Sequence, residues 1–148
     1  MAKLLTIHEI LTLVQEAPNK EARVALIKKH NCLALRDVLK GGLDDTITWI
    51  LPTGAPPYRK EENQPVGLSP STLHRQSPRL RYFIAGGPGE RLTPAKREKL
   101  FIEILESVHP TEAELLIAMK DKQLKKLYPC LTKLLVKAVF PNLIVKLL

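Results

Sequence analysis

The chain has 148 residues, of which 45% are hydrophobic, 5% aromatic and 26% charged, with a formal net charge of +8. That apolar content excludes wholesale disorder and leaves Leu, Ile and Val to build most of the core. No window is apolar for the length that a bilayer-spanning helix needs, and two distant cysteines with four scattered histidines exclude metal-ligand spacing.

In chain order, Thr6-Ile7-His8-Glu9 forms a capping box, and Ile10, Leu11, Leu13 and Val14 follow at helical spacing until Ala17-Pro18-Asn19 ends the run. A second helix is predicted from Lys20, carrying Ala22, Val24, Ala25, Leu26 and Ile27 towards the basic end Lys28-Lys29-His30, where Asn31 suits a left-handed cap. A third helix, Cys32 to Lys40, is predicted to stop at Gly41-Gly42. The segment Asp44 to Leu51 is ambiguous. Its β-branched residues favour a strand, while Asp44 or Asp45 could cap a helix. With no pairing partner in view, helix is preferred, and Trp49 is expected to anchor the core.

Six of the twelve prolines fall between Pro52 and Pro78, which excludes regular helix there, because each removes a donor and holds its predecessor extended. Tyr58, Val66, Leu68 and Leu73 lie among them, so parts of this connector should pack down. A short amphipathic helix, Pro78 to Ala85, is predicted to end at Gly86-Gly87-Pro88-Gly89. Thr93-Pro94 opens the strongest helical pattern, with Leu100, Phe101, Ile104, Leu105 and Val108 as its apolar stripe. Thr111-Glu112-Ala113-Glu114 reads as a second capping box before Leu115 to Met119. Thr132 reads as the cap of a last helix bearing Leu134, Leu135, Ala138 and Val139, broken at Phe140-Pro141. The end, Leu143-Ile144-Val145-Lys146-Leu147-Leu148, is strongly apolar. The expected fold class is all-α: an N-terminal helical cluster (1–51), a Pro-rich irregular connector (52–78) and a C-terminal helical cluster (79–148), joined in one compact unit.

Charge is uneven. Residues 1–50 carry seven Lys/Arg against six acids, residues 51–110 nine against six, and residues 111–148 seven against three. Such a balance points to nucleic acid, an anionic surface or an acidic protein partner. Lys120, Lys122, Lys125, Lys126, Lys133 and Lys137 read first as solvated helix faces. A nucleic-acid surface would use Arg75, Arg79, Arg81, Arg91, Lys96 and Arg97 around Tyr82 and Phe83, with Lys125 and Lys126. No helix-turn-helix, RNA-binding aromatic motif or basic heptad array accompanies them.

The glycine-rich loop lacks the Gly-Lys-Ser/Thr of a phosphate-binding loop, so it reads as a turn. Asp44-Asp45 and Glu61-Glu62 sit in or beside turns, Cys130 has no histidine nearby in sequence and Cys32 only His30, in no recognisable nucleophile motif, and Pro56-Pro57-Tyr58 falls short of a WW-domain ligand. No residue set is assigned to catalysis, a cofactor or a metal. The expected role is therefore non-enzymatic binding of another protein. Tyr58, Arg59, Arg79, Arg81, Tyr82, Leu147 and Leu148 are the candidate contacts. The short apolar run after Met1 is no signal peptide, and a cytoplasmic setting without a membrane partner is expected.

Trp49-Ile50-Leu51-Pro52, Pro56-Pro57-Tyr58, Leu80 to Gly87, Leu100 to Pro110, Glu112 to Leu116, Met119 to Lys122 and Phe140 to Leu143 carry a likeness. Together they resemble a family of small proteins of unassigned function in T-even-like tailed phages, including those of marine cyanobacteria. The resemblance spans residues 45–145 and is most specific over Leu100–Lys122. It implies a phage origin, action in the infected host's cytoplasm and a non-enzymatic part in host takeover or assembly, with a virion component as a further alternative. It transfers no catalytic residue.

Overall fold

The computed structural model describes residues 5–59 and 69–143. Helix α1 (Ile7–Glu16) starts on the expected box: Thr6 Oγ1 accepts from Glu9 N at 3.1 Å, and the Glu9 carboxylate accepts from Thr6 N at 2.9 Å. Two of the donors that every helix start leaves unpaired are thereby satisfied. In α2 (Lys20–Lys29) the Asn19 side chain accepts from Ala22 N at 2.9 Å. Its C-terminal cap is His30 at φ −101°, and Asn31 does not take the left-handed conformation expected of it.

The third helix corrects the expectation more sharply. α3 (Leu33–Leu43) runs straight through Gly41-Gly42, because these glycines are packing notches and not a stop. A Cβ on Gly41 would lie 2.6 Å from the Trp49 ring, and one on Gly42 would lie 2.2 Å from Leu124 Cδ1. Beyond α3 the preferred helix at Asp44 to Leu51 is absent. Trp49 pairs antiparallel with Ile84 in an isolated bridge, with Ile50 N donating to Phe83 O at 2.8 Å and Ala85 N to Thr48 O at 2.8 Å. The β-branched preference prevails once residues 83–85 supply the missing partner.

Regular helix, expected to be excluded throughout the connector, does form in the proline-free stretch before Pro78: the single-turn α4 (Leu73–Gln76), capped by Thr72. It leads directly into a 3₁₀ segment, η1 (Ser77–Phe83), and after the bridge comes a second, η2 (Pro88–Arg91). The α-helix expected from Pro78 to Ala85 is thus a tighter 3₁₀ run ending at Phe83. Pro78 lacks a donor for the α ladder, and Ile84 and Ala85 are drawn into pairing with the Trp49 segment. Val66 and Leu68 lie outside the described residues, whereas Leu73 is fully buried and Tyr58 half-buried.

Helix α5 (Pro94–Ser107) follows expectation, with Thr93 accepting from Lys96 N at 3.3 Å and Phe101, Ile104 and Leu105 buried. α6 (Pro110–Lys120) begins earlier than its supposed capping box. His109 is the cap, its Nδ1 accepting from Thr111 N at 3.2 Å, and Pro110 fills the first helical position. Glu112 is released from capping and turns inward, where each carboxylate oxygen lies 3.3 Å from Leu73 N. Burial pushes its carboxyl above the usual range, against the backbone hydrogen bond. The short α7 (Leu124–Leu127) has no sequence signal. α8 (Lys133–Val139) is capped by Thr132 and buries Leu135, Val136 and Val139. Leu134 instead faces outward, 70% exposed, as does Ala138.

α6 is the hub, packing on α1, α3, α5 and α7, while α2 packs on α8. Buried side chains from Ile7 to Val139 consequently merge into one cluster, with Phe83 and Phe101 edge-to-face at 5.4 Å.

One tie between α1 and the end of α7 is pH-sensitive. His8 Nδ1 meets the Tyr128 hydroxyl at 2.5 Å. Burial lowers the His8 pKa, opposed by Glu114 and Glu9 and assisted by His109, and burial raises that of Tyr128. A neutral ring therefore accepts from the phenol. Because the folded His8 pKa lies below its unfolded value, this contribution is complete above about pH 6.5 and is lost as pH falls through the folded pKa. Thermal midpoints are expected to drop from about pH 7 to about pH 5, with His8→Gln flattening that slope at a cost on the order of 1 kcal/mol at neutral pH. An unchanged slope in the variant would refute the assignment.

Candidate functional site

Where α3 ends, side chains take up carbonyls that a helix terminus leaves unpaired. Lys122 Nζ donates to Gly41 O at 2.7 Å and Asp44 O at 2.9 Å, and the Trp49 indole donates to Gly41 O at 2.9 Å. Lys40 Nζ donates to Asp44 Oδ2 and to Leu143 O, both at 2.8 Å. The fully buried Asp44 also accepts from Thr46 N and Thr46 Oγ1 through Oδ1. Lys122 itself stands at φ 58°, in the left-handed region that closes α6, with Gln123 N donating to Ala118 O at 2.7 Å. Burial lowers its ammonium below the usual lysine range, and Asp44 and Asp45 oppose that shift.

This wiring fixes one wall of a cleft of about 350 Å³ between α3, residues 47–49 and η1. Ile47, Trp49, Leu80 and Ile84 supply its apolar surface. The Asp37 carboxylate on the wall accepts from the Ser77 hydroxyl, and Lys40 is engaged as above. At the rim Arg81 is exposed, its guanidinium carbon 5.5 Å from the Tyr82 ring centroid. Arg79, also exposed, lies on the same 3₁₀ segment. Apolar walls beside an exposed guanidinium suit an apolar side chain flanked by a carboxylate.

The candidate contacts divide between two places. Arg79, Arg81 and Tyr82 share η1, whereas Tyr58 lines a different groove with Glu114, Ile117, Asp121, Lys126 and Leu127. Arg59 is exposed, and its backbone N donates to Glu106 Oε2 at 2.8 Å. Leu147 and Leu148 lie outside the described residues. In the nucleic-acid set, Arg75, Arg91, Lys96, Lys125 and Lys126 are exposed. Arg97 turns inward, its Nη1 donating to Gly89 O at 3.1 Å and Leu92 O at 2.8 Å. It braces the glycine loop. Lys120 departs from the expected solvated face altogether, with a side chain only 2% exposed and bonded to the connector backbone.

Two features escaped the sequence reading. Trp49 is half-buried and forms a cleft wall, because its indole is pulled onto the end of α3. Cys32, at the start of α3, meets His74 of α4: Sγ and Nδ1 are 3.9 Å apart, and the other ring nitrogen, Nε2, lies 2.8 Å from Leu5 O. Forty-two positions separate the pair in sequence, so no local signal exists.

Among the described residues no helix is long and apolar enough to cross a membrane, and no group of three or more His, Cys, Asp or Glu is arranged to hold a metal ion. A family model described as "Family of unknown function (DUF6433)" matches residues 10–126. Neither the curated proteins nor the solved structures hold a significant match.

Proposed function

The chain belongs to this family of unknown function, DUF6433, which lends it no activity, and we propose that it works without catalysis, by binding another protein at the Trp49–Arg81 cleft. The observation that carries this reading is the juxtaposition of an apolar cleft, walled by Trp49, Leu80 and Ile84, with the exposed Arg79 and Arg81. The partner it fits is a segment presenting an apolar side chain beside Asp or Glu. A phage accessory protein that redirects a host factor, or aids assembly, in the cytoplasm of an infected cell is the setting in which we place that activity.

The experiment is an affinity pull-down from host lysate with and without nuclease, repeated with Arg79→Glu/Arg81→Glu. A stoichiometric protein captured despite nuclease, whose affinity drops at least about tenfold in the variant, is the expected result. Capture of that protein undiminished by the charge reversal would sink the cleft.

The second reading, a nucleic-acid-binding factor, is favoured by the exposure of Arg75, Arg79, Arg81, Arg91 and Lys96 along α4, η1, η2 and the start of α5. It predicts loss of every partner on nuclease treatment and affinity falling steeply with salt, as neutralised phosphates release counterions. A virion component would instead appear in many copies in purified particles.

A further inference from the structure

We propose that Cys32 and His74 form a thiol–imidazole pair that makes Cys32 the chain's site of modification by low-molecular-weight disulfides and soft electrophiles. The pair is built by tertiary structure. Leu5 O accepts from His74 Nε2 at 2.8 Å, which fixes the proton on that nitrogen and leaves Nδ1 bare towards Cys32 Sγ at 3.9 Å. The ring is held in place from its own helix as well: the neighbouring Leu73 N donates to the buried Glu112 carboxylate. Cys32 stands at the N-cap of α3, makes no side-chain capping bond there, and is only partly buried. A thiolate formed at this position faces the positive end of the helix dipole.

The chemistry follows from those placements. Cys32 S–H passes its proton to His74 Nδ1, and the thiolate sulfur attacks one sulfur of a small disulfide. The S–S bond breaks, the leaving thiolate carries away its electron pair and takes up the proton, and Cys32 is left as a mixed disulfide. The chain supplies its own comparison. Cys130 is likewise partly buried, but burial pushes its thiol pKa up, with Arg23 opposing, and its backbone N–H is committed to Gln15 Oε1 at 2.8 Å.

The test treats the full-length folded chain with oxidised glutathione, and separately with limiting iodoacetamide, and reads modification of each cysteine by peptide mass spectrometry. Cys32 is expected to react about tenfold faster than Cys130. His74→Gln keeps an amide donor for Leu5 O but offers no basic nitrogen, so it should bring the Cys32 rate down towards that of Cys130 and leave Cys130 unchanged. Equal rates in the unmodified chain, or a Cys32 rate indifferent to His74→Gln, overturn the proposal. If His74→Gln opens the fold, both rates rise together, and the ratio of Cys32 to Cys130 rates in the unmodified chain decides.

Discussion

Gly89→Ala is expected to lower stability by at least about 3 kcal/mol, the largest loss from a methyl group added at any of the described glycines. The reason is not backbone freedom, since Gly89 is not among the described glycines with left-handed backbone, Gly54 and Gly86. It is contact. A Cβ on Gly89 would fall 1.6 Å from Tyr82 O, 2.4 Å from its carbonyl carbon and 2.7 Å from its Cα, all backbone atoms that no rotamer change can move aside. Gly87 is caught the same way, its Cβ position lying 2.6 Å from Arg81 O. The η1 and η2 segments therefore touch backbone to backbone, and Arg97 fastens the contact by donating to Gly89 O. Gly54→Ala is the control: its φ of 90° strains alanine, but nothing lies within 4 Å, so a loss on the order of 1 kcal/mol is expected. Denaturant unfolding of both variants checks the claim, and a Gly89→Ala midpoint no lower than that of Gly54→Ala would refute it. Because η1 carries Arg81 and Tyr82, Gly89→Ala should weaken partner capture as well.

Signals that act within a few residues were legible in the sequence. The Thr6, Thr93 and Thr132 caps, the proline at the start of α5 and its apolar stripe each depend on neighbours that the chain itself displays, and each appears where expected. Several of the misreadings share one cause: a distant group took over a local preference. Gly41-Gly42 carries the composition of a helix stop, yet Trp49 and Leu124 pack into the notch it makes, and the helix continues. The strand tendency of Thr46 to Ile50 had no visible outlet until Phe83 and Ala85 arrived beside it. Lys122 ends α6 in a conformation usually left to glycine or asparagine, and its anchors, Gly41 O and Asp44 O, belong to another helix end. The cleft was half visible for the same reason. Arg79, Arg81 and Tyr82 stood out as a basic, aromatic run, but Trp49 and Ile47 join them only through the bridge to Ile84. Charge counting likewise could not separate Lys125 and Lys126, which face solvent, from Lys120, which does not.

Lys120→Met should cost roughly 3 kcal/mol or more, although by sequence this lysine is one cation among many on a basic chain. Its ammonium donates to Pro52 O at 2.8 Å, to Gly54 O at 3.0 Å and to Asp121 Oδ1 at 2.6 Å. Asp121 completes the clasp by accepting from Gly54 N. A proline-rich stretch forms no ladder of its own, so these bonds supply what secondary structure supplies elsewhere. Methionine matches the stem in volume but leaves two carbonyls and a mostly buried carboxylate without the cation. The loss should therefore arise from uncompensated polar groups and not from a cavity. That distinction is measurable. In a double-mutant cycle, Asp121→Asn should cost less in the Lys120→Met background than in the wild type, giving a coupling of about 1 kcal/mol or more. Additive losses would mean that the two side chains do not act as one clasp. A loss below about 1 kcal/mol for Lys120→Met would mean that the connector is held by its apolar contacts, with Leu51 and Tyr58 against the core, and that the ammonium is incidental.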